Sequence, residues 1–373
     1  MTDITLVIPT MNEEEGIGEC IDKAKEAFDE LGMDGEIIIS DSSTDRTPEI
    51  AREKGAQVVE PEKPGYGYAY RYAFERAKGD LVAMGDGDTT YDFSKLPELI
   101  EKMRAENADM VMGSRLDGDI KPGSMPKLHK YIGNPLLTKF LNKFYGAGVS
   151  DAHSGIRVIK KDSLEKLDLK TDGMEFASEM IMEAGARDLK IVETPITYHE
   201  RKGEATLHSF RDGWRHVKFM LKNAPGYLFF WPGLIMMLSG LLVGGVSLSG
   251  VEILGTVPGN NSLILGLILA LTGYQAVNYS IITDLISDTV KKSNERLKNE
   301  FTSRFSLEKG LSAGGLLLIF GAAYSAKLVF TWYQSGYSAV PSSREGLISL
   351  AALISGAQII FSSFFISILS DNT

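Results

Sequence analysis

Asp86-Gly87-Asp88 is the densest candidate for chemistry in this sequence. A single glycine between two carboxylates lets both approach one point, where they repel each other unless a cation joins them. A hard divalent ion with oxygen ligands and phosphate partners suits such a pair. The motif follows the apolar run Leu81-Val82-Ala83-Met84 after one glycine, Gly85. Two further polar clusters end comparable runs: Pro9, Asn12 and Glu13 after Ile4 to Ile8, and Ser40-Asp41-Ser42-Ser43-Thr44-Asp45 after Glu36 to Ile39. One cluster alone reads as a turn, whereas three favour a shared site for a metal and a diphosphate.

The elements that must carry these clusters follow from the hydrophobic pattern. Ile4 to Ile8, closed by Pro9, reads as a strand, as do Glu36 to Ile39, Gln57 to Val59 and Asp80 to Met84. Between them, Glu13 to Leu31 reads as a helix with Ile17, Ile21, Ala24, Ala27, Phe28 and Leu31 on one face. Thr47-Pro48 opens a second helix, and Tyr68 to about Ala77 reads as a third. Short apolar strands alternating with amphipathic helices give an α/β fold, a mostly parallel sheet covered on both faces. In such sheets ligands bind beyond the carboxyl ends of the strands, where all three polar clusters lie.

The chain has 373 residues, which suggests two units. Its mean hydropathy of -0.03 conceals a division. From Tyr227 onward there are only eight of the 39 Lys and Arg and eight of the 49 Asp and Glu, so the net charge of -10 belongs wholly to the first 226 residues. We therefore expect an acidic globular domain over 1–226 and an all-α membrane domain over 227–373. Four stretches there are long enough to cross a bilayer, which takes about 20 mostly apolar residues: 228–248, 262–283, 311–333 and 346–370, forming two hairpins. The loop between the second and third holds Lys291, Lys292, Arg296, Lys298, Arg304 and Lys309. The excess of positive charge puts that loop, the N-terminal domain and both termini in the cytoplasm. Lys327 stands near the outer end of the third stretch, where its ammonium can snorkel to the interface. The opening residues carry no basic segment before a long apolar one, so no cleaved leader is expected. The single cysteine, Cys20, excludes an internal disulfide framework and any multi-cysteine metal site. The acidic balance speaks against nucleic acid as a partner.

Six motifs then recur in order: VIPTMNEEEGI, ISDSSTDRT, KPGYGYAYRYAFERAKGD, MGDGDTTYDF, MGSR and DAHSGIR. Over about residues 3 to 225 this series resembles the family 2 inverting glycosyltransferases of GT-A fold, and more narrowly the polyprenyl-phosphate hexose synthases, the dolichyl-phosphate mannose and glucose synthase group. The resemblance implies a Rossmann-like GT-A domain that transfers one hexose from a UDP- or GDP-linked sugar to a dolichyl or undecaprenyl phosphate, giving a lipid-linked sugar donor. It implies Mg²⁺ or Mn²⁺ on Asp86 and Asp88, with Gly87 between them. It places Pro9, Asn12, Glu13 and Asp41 at the nucleotide, Arg115 of Gly113-Ser114-Arg115 at phosphate, and Arg201 of Tyr198-His199-Glu200-Arg201 beside the transferred group. Ser154 and Glu175 belong to the acceptor and sugar side. The pattern departs in two places. The usual Asp-Asp-Gly-Ser is Ser40-Asp41-Ser42-Ser43, and the acceptor-side Gly-x-Ser-Lys reads Gly203-Glu204-Ala205-Thr206, so its lysine is missing and His208 or Arg211 is expected to supply the charge. Closeness to the glucose-type members points to a uridine donor.

Other readings compete with this one. Glu175 and Glu179, one helical turn apart, also fit a solvated helix face. Segments 127–145 and 208–223 mix apolar and basic residues in the manner of helices lying flat at a membrane surface, and could equally pack on the sheet. A processive polysaccharide synthase should carry a Gln-x-x-Arg-Trp-like motif, which Trp214-Arg215 does not match. A non-catalytic transporter or scaffold binding nucleotide sugars lacks a polar path in its spans. Gly65-Tyr66-Gly67 misses the third glycine of a dinucleotide fingerprint, where Tyr70 stands, and it follows the third strand instead of the first. There is no P-loop, and the five histidines have no HExxH spacing. The spans are expected to anchor the domain and to help copies of the chain form a homo-oligomer.

Overall fold

The computed structural model describes residues 2–203, 214–215, 217–219, 226–252, 255–286, 306–338 and 340–370. It divides into two compact units, Met1–Met220 and Leu221–Thr373.

The first unit is built on a seven-stranded sheet: β1 (Ile4–Thr10), β2 (Gly35–Asp41), β3 (Gln57–Val59), β4 (Leu81–Met84), β5 (Met110–Ile120), β6 (Arg157–Lys160) and β7 (Ile191–Tyr198), in the order β3-β2-β1-β4-β6-β5-β7. The sheet is mixed. Strands β3, β2, β1 and β4 run parallel, as do β5 and β7, while β6 is antiparallel to both its neighbours. Helices α1 (Ile17–Leu31), α2 (Thr47–Glu53), α3 (Tyr66–Phe74), α4 (Leu96–Glu106), α5 (Asn134–Tyr145), α6 (Lys161–Leu164) and α7 (Phe176–Ala186) accompany it. Ile4, Leu6 and Ile8 of β1 join one core with Ile17, Ile21 and Phe28 of α1 and Leu99 and Ile100 of α4. Val7 of β1 is equally buried. A strand buried on both faces explains the uninterrupted apolar run that marked it in the sequence.

Two boundaries differ from the sequence pattern in a way that concerns the site. Strand β1 runs through Pro9 to Thr10, because Pro9 and Thr10 lie in register with Ser40 and Asp41 of β2. Helix α1 starts at Ile17 and not at Glu13. Residues 13–16 form a turn in which the Gly16 and Ile17 N–H groups donate to the Glu13 carbonyl, and the Glu13 N–H donates to Thr47 Oγ1 at 2.9 Å. A third boundary differs in the opposite sense: helix α3 begins two residues early, at Tyr66.

The second unit contains four helices long and apolar enough to cross a membrane, Leu228–Ser249, Asn260–Thr283, Leu307–Gln334 and Ser343–Leu369. They pair as two antiparallel hairpins at backbone distance. A Cβ on Gly240 would come within 2.5 Å of the Gly266 carbonyl, one on Gly233 within 2.8 Å of Gly273, and one on Gly314 within 2.8 Å of Gly356. Small residues permit such close approach where van der Waals contact, not burial from water, holds helices together. Gln358 Nε2 donates to Gln275 Oε1 at 3.3 Å, joining the fourth helix to the second. Of the basic loop residues expected at 291–309, only Lys309 is among the described residues.

Candidate active site

The carboxyl ends of β1, β2 and β4 lie side by side, which brings the three polar clusters together. Those of β1 and β2 are knitted to each other. Asp41 Oδ1 accepts from Thr10 Oγ1 at 2.7 Å and from Ser43 Oγ at 2.6 Å, and its Oδ2 accepts from the Ser43 N–H at 3.2 Å. Asn12, with φ of 63°, turns its side chain to accept from the Thr44 N–H at 2.8 Å, and its own N–H donates to Ser43 Oγ at 2.8 Å. Pro9, opposite Ser40, completes this patch. Asp41 is buried, and its hydrogen bonds hold the loop that follows β2.

After β4 the Asp86-Gly87-Asp88 loop turns against the start of α1. A Cβ on Gly16 would sit 2.7 Å from the Gly87 carbonyl oxygen, and one on Gly87 would sit 3.0 Å from Thr10 Cγ2. Gly16 is therefore required by close approach to backbone, while Gly87 is tightly packed against a side chain. Each aspartate has one oxygen fixed. The Tyr66 hydroxyl donates to Asp86 Oδ1 at 3.0 Å, and the Thr90 N–H donates to Asp88 Oδ1 at 3.1 Å with help from the Thr90 hydroxyl. Thr89, directly after Asp88, holds φ of 65°, a conformation that costs a β-branched residue of order 1–3 kcal/mol and that clusters at functional sites.

Arg201 reaches this loop by backbone pairing. Beyond β7 the chain runs along residues 88–91: Tyr198 bridges Tyr91, the His199 N–H donates to the Thr90 carbonyl at 3.0 Å, and the Lys202 N–H donates to the Asp88 carbonyl at 3.0 Å. Arg201 is thereby laid over the acidic loop, Nη2 bonded to Glu13 Oε1 and Nη1 3.6 Å from Asp88 Oδ2. Buried Arg201 Nε and Glu13 Oε2 have no hydrogen-bond partner among the described residues.

These groups perturb one another. Burial, reinforced by the neighbouring Asp88 charge, pushes the Asp86 carboxyl up to about 7. Burial also raises Glu13 to about 7, opposed by Arg201 and reinforced by Asp88 and Asp86. Three carboxylates so close leave negative charge that one guanidinium does not balance, the situation a divalent cation relieves. Among the described residues no set of three or more His, Cys, Asp or Glu side chains is arranged to hold a metal ion. The two carboxylates of Asp86 and Asp88 by themselves fit Mg²⁺-like chemistry, in which one or two carboxylates share the ion with substrate phosphates and water. The unpartnered Glu13 Oε2 and Arg201 Nε leave one acceptor and one donor in the site, the donor suited to an anionic oxygen.

The other expected residues are placed differently. Arg115 of β5 is buried and engages Asp151 through Nε at 2.7 Å, Nη2 at 2.9 Å and its own N–H at 3.0 Å. Burial disfavours the Asp151 carboxylate, yet the Arg115 charge and hydrogen bonds hold it below the ordinary range. Glu193 backs Asp151 in turn, accepting from its N–H at 3.1 Å. Ser154 is fully buried with its hydroxyl unpartnered among the described residues, and its carbonyl accepts from Arg157. Glu175 accepts from Arg215 Nε at 3.1 Å. Glu179 belongs to neither of the alternatives the sequence offered: it is buried, and it accepts from the Lys170 and Thr171 N–H groups at 2.9 and 3.0 Å, clasping that loop. His208 and Arg211 lie outside the described residues, as does most of segment 208–223. The sequence reading missed Tyr66, Thr90 and Asp151, although each stands in a motif already singled out; only their partners, remote for Tyr66 and Asp151, show what they do.

Residues 5–168 match the family model described as glycosyl transferase family 2, and residues 282–370 match the family 2 C-terminal transmembrane region. The low-salt glycan biosynthesis hexosyltransferase Agl6 of Haloferax volcanii is 53% identical over 99% of this chain and 89% of its own length. A dolichyl-phosphate hexose transferase of the same organism is 32% identical over 57% of this chain and 89% of its own. Among solved structures, the glucosyl-3-phosphoglycerate synthase of Mycobacterium tuberculosis, crystallised with Mn²⁺, UDP and glucosyl-3-phosphoglycerate, superposes with a TM-score of 0.50 at 21% identity, over 60% of this chain and 80% of that one, a likeness of fold. With an Asp-x-Asp loop at the carboxyl edge of a GT-A sheet and four membrane helices behind it in sequence, the chain belongs to glycosyltransferase family 2.

Proposed function

We propose that this membrane glycosyltransferase moves a single hexose from a UDP- or GDP-linked sugar to a polyprenyl phosphate, dolichyl or undecaprenyl, with inversion and with Mg²⁺ or Mn²⁺ as cofactor. The observation that carries the proposal is the Glu13–Asp86–Asp88–Arg201 cluster at the sheet edge of a chain that also holds four membrane helices. The names of the Haloferax relatives, a hexosyltransferase and a dolichyl-phosphate hexose transferase, support it.

A phosphate monoester is largely dianionic at neutral pH, its second pKa being about 6, so no base has to deprotonate the nucleophile. One lipid phosphate oxygen forms the bond to the anomeric carbon. The bond from that carbon to the diphosphate breaks, and the nucleoside diphosphate leaves with the electron pair. A divalent ion held by Asp86 and Asp88 would supply Lewis-acid neutralisation of that leaving group. Arg201 adds a fixed positive charge on the same side, and preorganised charge of this kind acts strongly in a site shielded from water. Arg115, its charge largely offset by the Asp151 carboxylate, is assigned to phosphate through the part of its guanidinium that Asp151 leaves free. Pro9, Asn12, Glu13, Asp41 and Gly87 form the nucleotide side; Ser154, Glu175, His208 and Arg211 are assigned to the acceptor side.

The domain has a surface suited to a lipid headgroup region. Leu128, Tyr131, Ile132 and Leu136 are 57–68% exposed on the helical segment 128–145, while Thr138, Leu141 and Tyr145 are buried. Lys127, Lys130, Lys139 and Lys143 accompany the exposed face. An apolar face with basic flanks seats in an anionic interface. The basic loop 291–309 favours a cytoplasmic placement for this domain and for both termini. Purified full-length protein, offered GDP-mannose, UDP-glucose and UDP-N-acetylglucosamine against dolichyl and undecaprenyl phosphates, should give one sugar per lipid. A long polymer, or no product with any pair, contradicts the proposal.

A further inference from the structure

We infer that Tyr66 is a positioning residue for the transfer reaction: its hydroxyl bonds one oxygen of Asp86 and so fixes the rotation of that carboxylate in advance of the divalent ion, and the Gly65-Tyr66-Gly67 segment holds the phenol there. The inference deepens the metal-site reading above and rests on it.

The two aspartates are fixed by different means. Asp88 is held locally, by Thr90 two residues on. Asp86 has no such neighbour, and its Oδ1 takes the Tyr66 phenol from 20 residues upstream at 3.0 Å. On the other side, a Cβ on Gly155 would lie 2.9 Å from Asp86 Oδ2, so that oxygen rests against bare backbone. A carboxylate with one oxygen bonded and a wall beside the other has little freedom to rotate. A ligand oxygen fixed in advance binds an ion without first being ordered.

The phenol is itself held. The Tyr66 ring meets Tyr70 edge-on at 5.0 Å and Phe176 of α7 at 6.4 Å, and the Tyr70 hydroxyl donates to the Gly85 carbonyl at 3.0 Å. Helix α3 thus grips both Asp86 and the residue before it. The glycines beside Tyr66 answer to loop 171–173. Gly65, with φ of 151°, would place a Cβ 2.5 Å from the Asp172 carbonyl, and a Cβ on Gly67 would overlap the Thr171 carbonyl. The Gly67 N–H donates to the Asp172 carbonyl at 3.0 Å. Lys63 and Arg71, one from each side of the turn, both bind the Asp172 carboxylate. The motif that fails as a dinucleotide fingerprint is accounted for: its glycines admit a backing loop, and its tyrosine steadies a metal ligand.

The test is Mn²⁺ binding by the full-length protein in detergent, followed through the electron paramagnetic resonance signal of free Mn²⁺. Tyr66→Phe keeps the ring and removes only the hydroxyl. It should weaken Mn²⁺ binding about tenfold, the usual scale for losing a group that orients a metal ligand, with the melting temperature of the metal-free protein held to within a few degrees. Saturating Mn²⁺ should then restore much of the turnover. Unchanged Mn²⁺ affinity in Tyr66→Phe, alongside lost binding in Asp86→Ala, overturns the role of Tyr66 and leaves the metal site standing. Parent-like binding in both Asp86→Ala and Asp88→Ala overturns the metal site and this inference with it. Should Tyr66→Phe melt early, Asp172→Ala, which slackens the turn and spares the phenol, decides: weaker binding supports the inference and unchanged binding overturns it.

Discussion

Arg201 and Glu13 lie 188 residues apart in the chain, and their side chains are bonded. The same guanidinium faces Asp88, so one arginine serves as the protein's own counter-ion for the acidic loop. Its Nε remains free for a ligand among the described residues. Arg201→Ala should lower kcat/KM for the lipid product about 10²–10³-fold, the scale on which a preorganised electrostatic group is lost. Arg201→Lys should recover only part of it, because an ammonium cannot bond Glu13 and a phosphate with one planar fork. Steady-state kinetics on the purified chain decides, and near-normal kcat/KM in Arg201→Ala would remove it from the site.

The pH dependence follows from two groups. Asp86 and Glu13 stand at about 7 in the folded protein, above their ordinary 3.8 and 4.5. Between those values the folded chain keeps protons that the unfolded chain has released, so stability falls as pH rises through that window. The contribution is complete below the ordinary values and gone above about 7. Mn²⁺ has to displace those same protons, so it should raise the melting temperature more at about pH 8 than at about pH 6. A larger Mn²⁺ shift at the lower pH would contradict the placement of these protons.

Gly16 offers a steric test. A Cβ there meets the Gly87 carbonyl at 2.7 Å, a backbone atom that cannot swing aside, whereas one on Gly18 meets Ile50 Cγ2 at an ordinary 3.5 Å. Gly16→Ala should destabilise by roughly 1–3 kcal/mol, as overpacking does, and should weaken Mn²⁺ binding by shifting the loop. Gly18→Ala should change neither. Thermal melts and Mn²⁺ titrations of the two variants are the comparison.

The exposed helix face makes a prediction about the acceptor. Ile132→Asp combined with Leu136→Asp places two charges where the surface is apolar. In vesicles, transfer to a long-chain polyprenyl phosphate should fall about tenfold or more, because interfacial binding scales with apolar area and attraction to anionic lipids. Transfer to a short-chain, water-soluble analogue should stay close to that of the parent. Equal losses with both acceptors would assign the face to packing.

Much of this was legible in the residues because burial writes itself into a sequence. Strands β1 to β4 are apolar runs ended by turn formers, and the Asp86–Asp88 pair is visible because its two carboxylates are close in sequence. What was hidden depended on contacts across the fold. A helical pattern through Glu13 cannot reveal that its carboxylate is withdrawn to meet Arg201. Nothing near Arg115 announces that Asp151, 36 residues on, occupies its fork. Glu179 looks like a surface residue by spacing, yet it closes on backbone N–H groups of a loop eight and nine residues earlier. The mixed character of the sheet was hidden for the same reason, since β6 lies between β4 and β5 by tertiary pairing alone.

The backbone pairing of residues 198–202 with 88–91 bears on how the enzyme comes into being. A nascent chain that has emerged only as far as β6 already owns both aspartates, but not the guanidinium that offsets them. The charge balance of the acidic loop is therefore completed only once the chain has passed the last strand of the domain, shortly before the first hydrophobic helix is made.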